Sequence, residues 1–191
     1  DVMDFDKCKI VVNKLSKDFK DLQTIYPCIS GEPLLHPDMV KIVDLIRSKG
    51  IHCGFTTNAS MLSRQKSREL VKAGITSLAF SLDTTDKKKY EYLQYGGDLK
   101  TVEKNILDFK NEFLKHNNYF SATINFVVSE ENENEKDIFL KKWKDHGFNV
   151  SFSNYCNIFD RNRPYKEEIE WGPQTRQPCW ALWQAMYLNE E

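Results

Sequence analysis

What most constrains this chain is the order of its apolar patterns, because a helical period and a short apolar run alternate five times between residues 5 and 153. Phe5, Cys8, Val11, Val12, Leu15 and Phe19 recur at three- and four-residue steps behind Asp4, a suitable N-cap, which predicts an amphipathic helix over 5–19. The mostly apolar run 22–29, closed by Ser30-Gly31, predicts a buried strand. Helices over 36–49, 63–73, 100–115 and 135–146 then alternate with strands over 51–57, 77–82, 121–128 and 148–153. Strands separated by helical stretches form parallel sheets through right-handed crossovers, so the class is α/β. Gly50, Gly74 and Gly147 each fall between a helix and a strand, where a left-handed C-cap is wanted. The series opens on a helix, and a strand ahead of it is missing from the sequence, so a truncated barrel or sheet is expected.

After Asn154 the period is lost. Residues 155–178 carry Pro164, Pro173 and Pro178 among many charges and read as an irregular connection, and the apolar run from 179 to 188 starts something new. The Glu/Asn run 130–135 reads as a solvated helix start. A hydrophobic content of 40% suffices for a core and excludes a wholly disordered chain. With 27 Lys+Arg against 28 Asp+Glu, the net charge of −1 offers no bulk positive field to nucleic acid or anionic lipid. No apolar run approaches the ~18 residues that cross a bilayer, and the first residues lack the pattern of a signal peptide. The expectation is a cytoplasmic protein with neither a nucleic-acid nor a membrane partner. Cysteines at 8, 28, 53, 156 and 179 are too widely spaced for a CxxC metal knuckle or a small disulfide framework.

In parallel α/β folds ligands bind beyond the carboxyl ends of the strands. The residues there are Ser30-Gly31-Glu32-Pro33, Thr56-Thr57-Asn58 and Ser81-Leu82-Asp83. A glycine followed by a carboxylate suits a backbone close to a ligand whose ammonium meets the acid. Hydroxyl and amide groups at the next strand ends suit a ribose or an amino-acid head group. No GxGxxG or GxxxxGK[ST] loop is present, which argues against a nucleotide phosphate as the main handle. Plainer roles compete with these. Glu32 also suits a helix-initiating acid beside Pro33, Ser81 and Asp83 suit turn caps, and His36 suits a helix start. Cys8, Cys28, Cys53 and Cys156 fit buried small hydrophobes.

The GEPLLHPD, TTN and S-x-D elements, in this order and at this spacing, resemble the core of a radical S-adenosylmethionine (radical SAM) enzyme over residues 3–154. The tail from Cys179 resembles the opening of a SPASM or twitch extension. The resemblance implies a partial (β/α)6 barrel over 1–154 without its first strand, a connection over 155–178 and an extension starting over 179–191. By the same resemblance Gly31, Glu32 and Pro33 meet the amino group of the SAM methionine. Thr57 and Asn58 line the same cavity, Ser81 and Asp83 lie on its ribose side, and Cys179 ligates an auxiliary [4Fe-4S] cluster. The family's CxxxCxxC, which holds the SAM-binding [4Fe-4S] cluster, is not among these 191 residues. Ser30 stands where many members have the first Gly of GGEP, and Gln94 where many have Arg.

The implied activity is that of an oxidoreductase. SAM is cleaved reductively to a 5′-deoxyadenosyl radical that abstracts a hydrogen from a peptide, a protein, a sugar or another metabolite, with flavodoxin or ferredoxin as electron donor. The opposing reading is a cluster-free α/β domain that binds a small ligand or a protein partner. A barrel lyase or hydrolase using Glu32 and Asp83 as acid and base ranks last, because nothing supplies a metal site or an activated nucleophile.

Overall fold

Five parallel strands lie side by side in chain order: β1 (Thr24–Ile25), β2 (His52–Thr57), β3 (Ser77–Ser81), β4 (Thr123–Val128) and β5 (Asn149–Asn154). The structure, a computed structural model, describes residues 3–28, 31–94, 97–116 and 122–154. The crossovers between strands carry α2 (Met39–Ser48), α3 (Arg64–Lys72), α4 (Lys87–Leu93), α5 (Leu99–Leu114) and α6 (Lys136–Asp145), while α1 (Phe5–Asp18) precedes β1. This is the α/β architecture expected from the alternation, and the order is consistent with part of a (β/α) barrel. The connection expected over 155–178 and the extension expected over 179–191, with Cys156 and Cys179, lie outside the described residues.

Local chemistry sets the helix boundaries. The Asp4 carboxylate accepts from the Asp6 N–H at 2.7 Å, and the Ser63 hydroxyl accepts from the Lys66 N–H at 3.2 Å, each satisfying a donor that the first helical turn leaves free. Gly50, Gly74 and Gly147 have φ of 77°, 86° and 75° and end their helices as expected. Helix α4 was not expected, because KKKYEYL has no apolar period. It starts on an Asp86 cap and is fixed by one buried side chain, Tyr90. Strand β1 is shorter than the run 22–29 suggested, since a strand extends only where it has a partner and β1 pairs with β2 alone through Thr24 and Ile25.

Alternation along the strands separates two faces. Cys53, Phe55, Leu78, Phe80, Ile124 and Phe126 are buried under the helices. Phe80 meets Phe109 and Phe148 edge-on at 5.9 and 6.0 Å, and Phe126 meets Phe139 and Phe152 at 4.6 and 5.4 Å. Burial pushes the Cys53 thiol up to about 12, so it behaves as the small hydrophobe it was read to be. Cys8 and Cys28 are only half-buried. The opposite, concave face carries Thr56, Ala79, Ser81, Thr123, Asn125, Ser151 and Ser153. Gly54 also lies on it, and a Cβ there would come 2.2 Å from the Ser77 hydroxyl and 2.9 Å from its carbonyl oxygen, so only glycine lets β2 and β3 approach. Among the described residues no helix is long and apolar enough to cross a membrane.

Candidate functional site

Gly31 has φ of +82° with open space around the place of a Cβ, a conformation glycine adopts freely and other residues adopt at a cost of roughly 1–2 kcal/mol. The chain thereby turns Glu32 back over the sheet. Glu32 then caps a single 3₁₀ turn, Pro33–Leu35, with its Oε1 accepting from the Leu34 N–H at 3.0 Å. The same oxygen accepts from the Thr57 hydroxyl at 2.7 Å, and Oε2 accepts from the Asn58 N–H at 2.8 Å. The helix-initiating role and the site role thus coincide: one carboxylate caps its own turn and joins the loop after β1 to the end of β2.

The loop after β2 is shaped to make those donations. The Thr57 hydroxyl also accepts from the Ala59 N–H at 3.0 Å, and the Asn58 side-chain oxygen accepts from the Ser60 N–H at 2.9 Å. Ala59 adopts φ of 58°, a left-handed conformation that a non-glycine residue holds only where the surroundings fix it. Its carbonyl is held by the buried Asn105 amide at 2.9 Å. Neither Ala59 nor Asn105 was singled out from the sequence, because neither carries a motif signal.

Ser81 ends β3 one residue past Phe80, which pairs with Thr57, so it lies near that strand end on the face opposite the Thr57 and Phe80 side chains. Asp83 does not join Glu32. Its carboxylate accepts from the Val127 N–H at 2.7 Å, joining the loop after β3 to β4, and burial pushes its pKa up against the effect of that bond. Behind it the run 130–135 departs from the solvated start expected of it. Asn132 and Glu135 are 1% and 8% exposed. The Asn132 amide donates to the carbonyls of Asp83 and Val127 at 2.9 and 2.8 Å. Glu135 accepts from the Thr84 hydroxyl at 2.7 Å, the Thr85 N–H at 2.8 Å and the Lys89 ammonium at 2.7 Å. The sequence signal was an acid and an amide inside a polar run, which only contact with Thr84 and Thr85 for the acid, and with the Asp83 and Val127 carbonyls for the amide, turns into a buried brace.

Burial works to raise the Glu135 carboxyl, yet Lys89 and the threonine donors bring it down to about 2. Glu112 on α5 is likewise lowered to about 2, by Lys115, Arg64 and Arg68. A depressed native pKa contributes stability above the ordinary value of 4.5 and loses it as the pH falls through about 2. Stability is therefore expected to drop between these values, and Glu135→Gln to flatten that part of the curve. Denaturant titrations at stepped pH measure it; an unchanged slope in the variant would remove Glu135 from the acid-labile set.

Three strand ends thus present a half-buried carboxylate, hydroxyls and an amide. Of the roughly four lone-pair positions of a carboxylate, Glu32 has three filled by N–H and O–H donors, leaving one on Oε2. None of the ion pairs among the described residues involves Glu32. A donor with a positive charge, such as an α-ammonium, fits there. Among the described residues no group of three His, Cys, Asp or Glu side chains comes together to hold a metal. The described residues therefore offer a carboxylate position for a positively charged donor and no metal-ligand group.

Comparisons with known proteins bear on the family of the chain. The GTP 3′,8-cyclase of Listeria welshimeri is 31% identical over 144 residues, covering 72% of this chain and 40% of that protein. The tungsten-containing aldehyde ferredoxin oxidoreductase cofactor-modifying protein of Pyrococcus furiosus is 31% identical over 81 residues, covering 42% of this chain and 22% of the relative. The chain spans about two fifths of the length of the cyclase it matches. Streptococcus suis SuiB shares the fold, with a TM-score of 0.57 at 19% identity, over 80% of this chain and 33% of that one. The family model described as Radical SAM superfamily matches residues 24–142, more than half of the chain and all of β1 to β4. The chain belongs to the radical SAM superfamily.

Proposed function

We propose that residues 1–154 are the SAM-holding core of an oxidoreductase that cleaves SAM reductively at a [4Fe-4S] cluster, followed by a connection over 155–178 and an extension starting at 179. The observation that carries the reading is Glu32, a carboxylate with an open lone-pair position, held by Thr57 and Asn58 at the carboxyl end of the sheet. Its role is to accept the SAM ammonium and fix its orientation. The Thr57 and Asn58 donors keep the carboxylate turned toward the sheet. In this reading Ser81, at the end of β3, meets the ribose hydroxyls, supported by its place at a strand end, and Asp83 holds the end of β3 against β4. Bound there, SAM would be held by Glu32 at its ammonium and by Ser81 at its ribose, and with a cluster it would supply the radical chemistry of the reaction. The thiolates of the CxxxCxxC pattern are not among these 191 residues.

Cys179 belongs to the same proposal as a ligand of an auxiliary cluster, and the electron comes from a flavodoxin or ferredoxin. The substrate is a peptide, a protein or a metabolite; SuiB has been seen bound to its precursor peptide SuiA, which supports a peptide within that range. The test is electron paramagnetic resonance of the full-length protein, reconstituted and reduced without oxygen, with and without SAM. A reduced-cluster signal that shifts on adding SAM is expected, with Cys179→Ala lowering the iron content and leaving that shift in place. A protein that takes up no iron and binds no SAM would instead be the cluster-free ligand-binding domain.

A further inference from the structure

Helix α5 buries one face, formed by Leu99, Val102, Ile106, Phe109 and Phe113. Asn105 sits on that face, 7% exposed, three residues after Val102 and four before Phe109. An amide enclosed among apolar side chains costs free energy unless it is bonded, so its partner is informative. The partner lies 46 positions earlier: the Asn105 Nδ2 donates to the Ala59 carbonyl at 2.9 Å. Ala59 is fully buried and is, among the described residues, the one non-glycine with a positive φ. Alanine holds that conformation against a steric cost, and only where the surroundings fix it.

The turn at Ala59 aims two donors at Glu32. The Ala59 N–H donates to the Thr57 hydroxyl oxygen at 3.0 Å, which leaves the hydroxyl proton for Glu32 Oε1 at 2.7 Å. One residue before Ala59, the Asn58 N–H donates to Oε2 at 2.8 Å. Downstream the chain is fixed: Leu62 is fully buried, its N–H donates to the Ala59 carbonyl at 3.2 Å, and Ser63 caps α3. Relaxation of Ala59 to a negative φ would therefore be taken up upstream, at Thr57 and Asn58, and would draw their donors off the carboxylate. The bonds from Ser60 to Asn58 and from Leu62 to Ala59 lie within the turn. Among the described residues, the hydrogen bond that ties Ala59 to another element is the one from Asn105.

We infer that Asn105 is a positioning residue of the SAM site: from α5 it holds Ala59 in the left-handed turn, and so keeps the Thr57 hydroxyl and the Asn58 N–H on Glu32. This role rests on the proposed function, in which Glu32 accepts the SAM ammonium. A clamp and a plain packing residue differ in one respect. Glycine adopts a positive φ freely, so Ala59→Gly removes the need for a clamp. For a packing residue the same change only deletes a second buried group.

A double-mutant cycle tests this with the parent, Asn105→Ala, Ala59→Gly and both together, as full-length chains reconstituted without oxygen. Equilibrium dialysis reads SAM affinity, and amide hydrogen exchange without SAM reads the peptide over 57–60 by mass spectrometry. Asn105→Ala is expected to weaken SAM binding by roughly three- to tenfold, the scale of one hydrogen bond, and to speed exchange over 57–60 while β3 and β4 exchange as in the parent. In the Ala59→Gly background the same substitution is expected to weaken binding by less than about twofold and to leave exchange over 57–60 unchanged. Equal losses in both backgrounds, or faster exchange across the whole sheet, make Asn105 a packing residue and overturn the inference. Asn105→Leu, of similar shape without the donor, takes the place of Asn105→Ala in the cycle if that variant does not fold. A parent that binds no SAM overturns the proposed function and the link to SAM with it. Exchange over 57–60 that Asn105→Ala speeds only where Ala59 is kept then still upholds the clamp.

Discussion

Glu32→Gln is expected to weaken SAM binding by roughly ten- to a hundredfold, the effect of losing one charge-assisted hydrogen bond worth about 1.5–3 kcal/mol. The amide keeps one acceptor for the Leu34 N–H and the Thr57 hydroxyl. It turns an NH2 toward the Asn58 N–H, so donor faces donor where an oxygen had accepted. The variant therefore loses both the negative charge and part of the joint between β1 and β2. Equilibrium dialysis with SAM measures the first effect and denaturant unfolding the second. Should the variant bind SAM as the parent does while unfolding earlier, Glu32 is only the cap of its 3₁₀ turn.

Phe80→Ala is expected to cost about 3–5 kcal/mol, a large share of the 5–15 kcal/mol that holds a typical domain together. Phe80 is fully buried in the middle of the sheet, and its ring joins α5 through Phe109 and the start of β5 through Phe148. Truncation leaves a cavity, whose term adds to the lost transfer energy. The neighbouring Ser81 and the Thr57 paired with Phe80 would lose their fixed spacing, so SAM affinity is expected to fall with stability. Urea midpoints read the stability change. A loss below about 1 kcal/mol would mean that the helices collapse onto the vacancy and that the site does not depend on this ring.

Much of the frame was written locally. The periods of α1, α2, α3, α5 and α6 and the cap at Asp4 are decided within one or two helical turns, and the structure keeps them. The same holds for the chain-order parallel sheet, since each crossover needs only its own helix to return the chain. A superfamily motif marks Glu32, Thr57 and Asn58 in the sequence, and the Glu32 carboxylate accepts from the other two. Asp83 was legible as important, but not as a brace to β4.

What the sequence by itself determined, then, was the order of elements, their boundaries to within a few residues, and the strand ends on which the site is built. Only the tertiary structure decided which polar residues are buried. Asn132 and Glu135 sit in a run that any local reading leaves in water; Glu135 is enclosed where Thr84 and Thr85, some fifty positions earlier, donate to it, and Asn132 where its amide meets the Asp83 and Val127 carbonyls. The left-handed Ala59 and the Asn105 amide that holds its carbonyl are a pair of the same kind, 46 positions apart. A buried polar group costs free energy until its partner arrives, and the partner's arrival is a property of the packed fold. The polar row across β3 to β5 has the same origin: only register brings Ser81, Asn125 and Ser151 side by side.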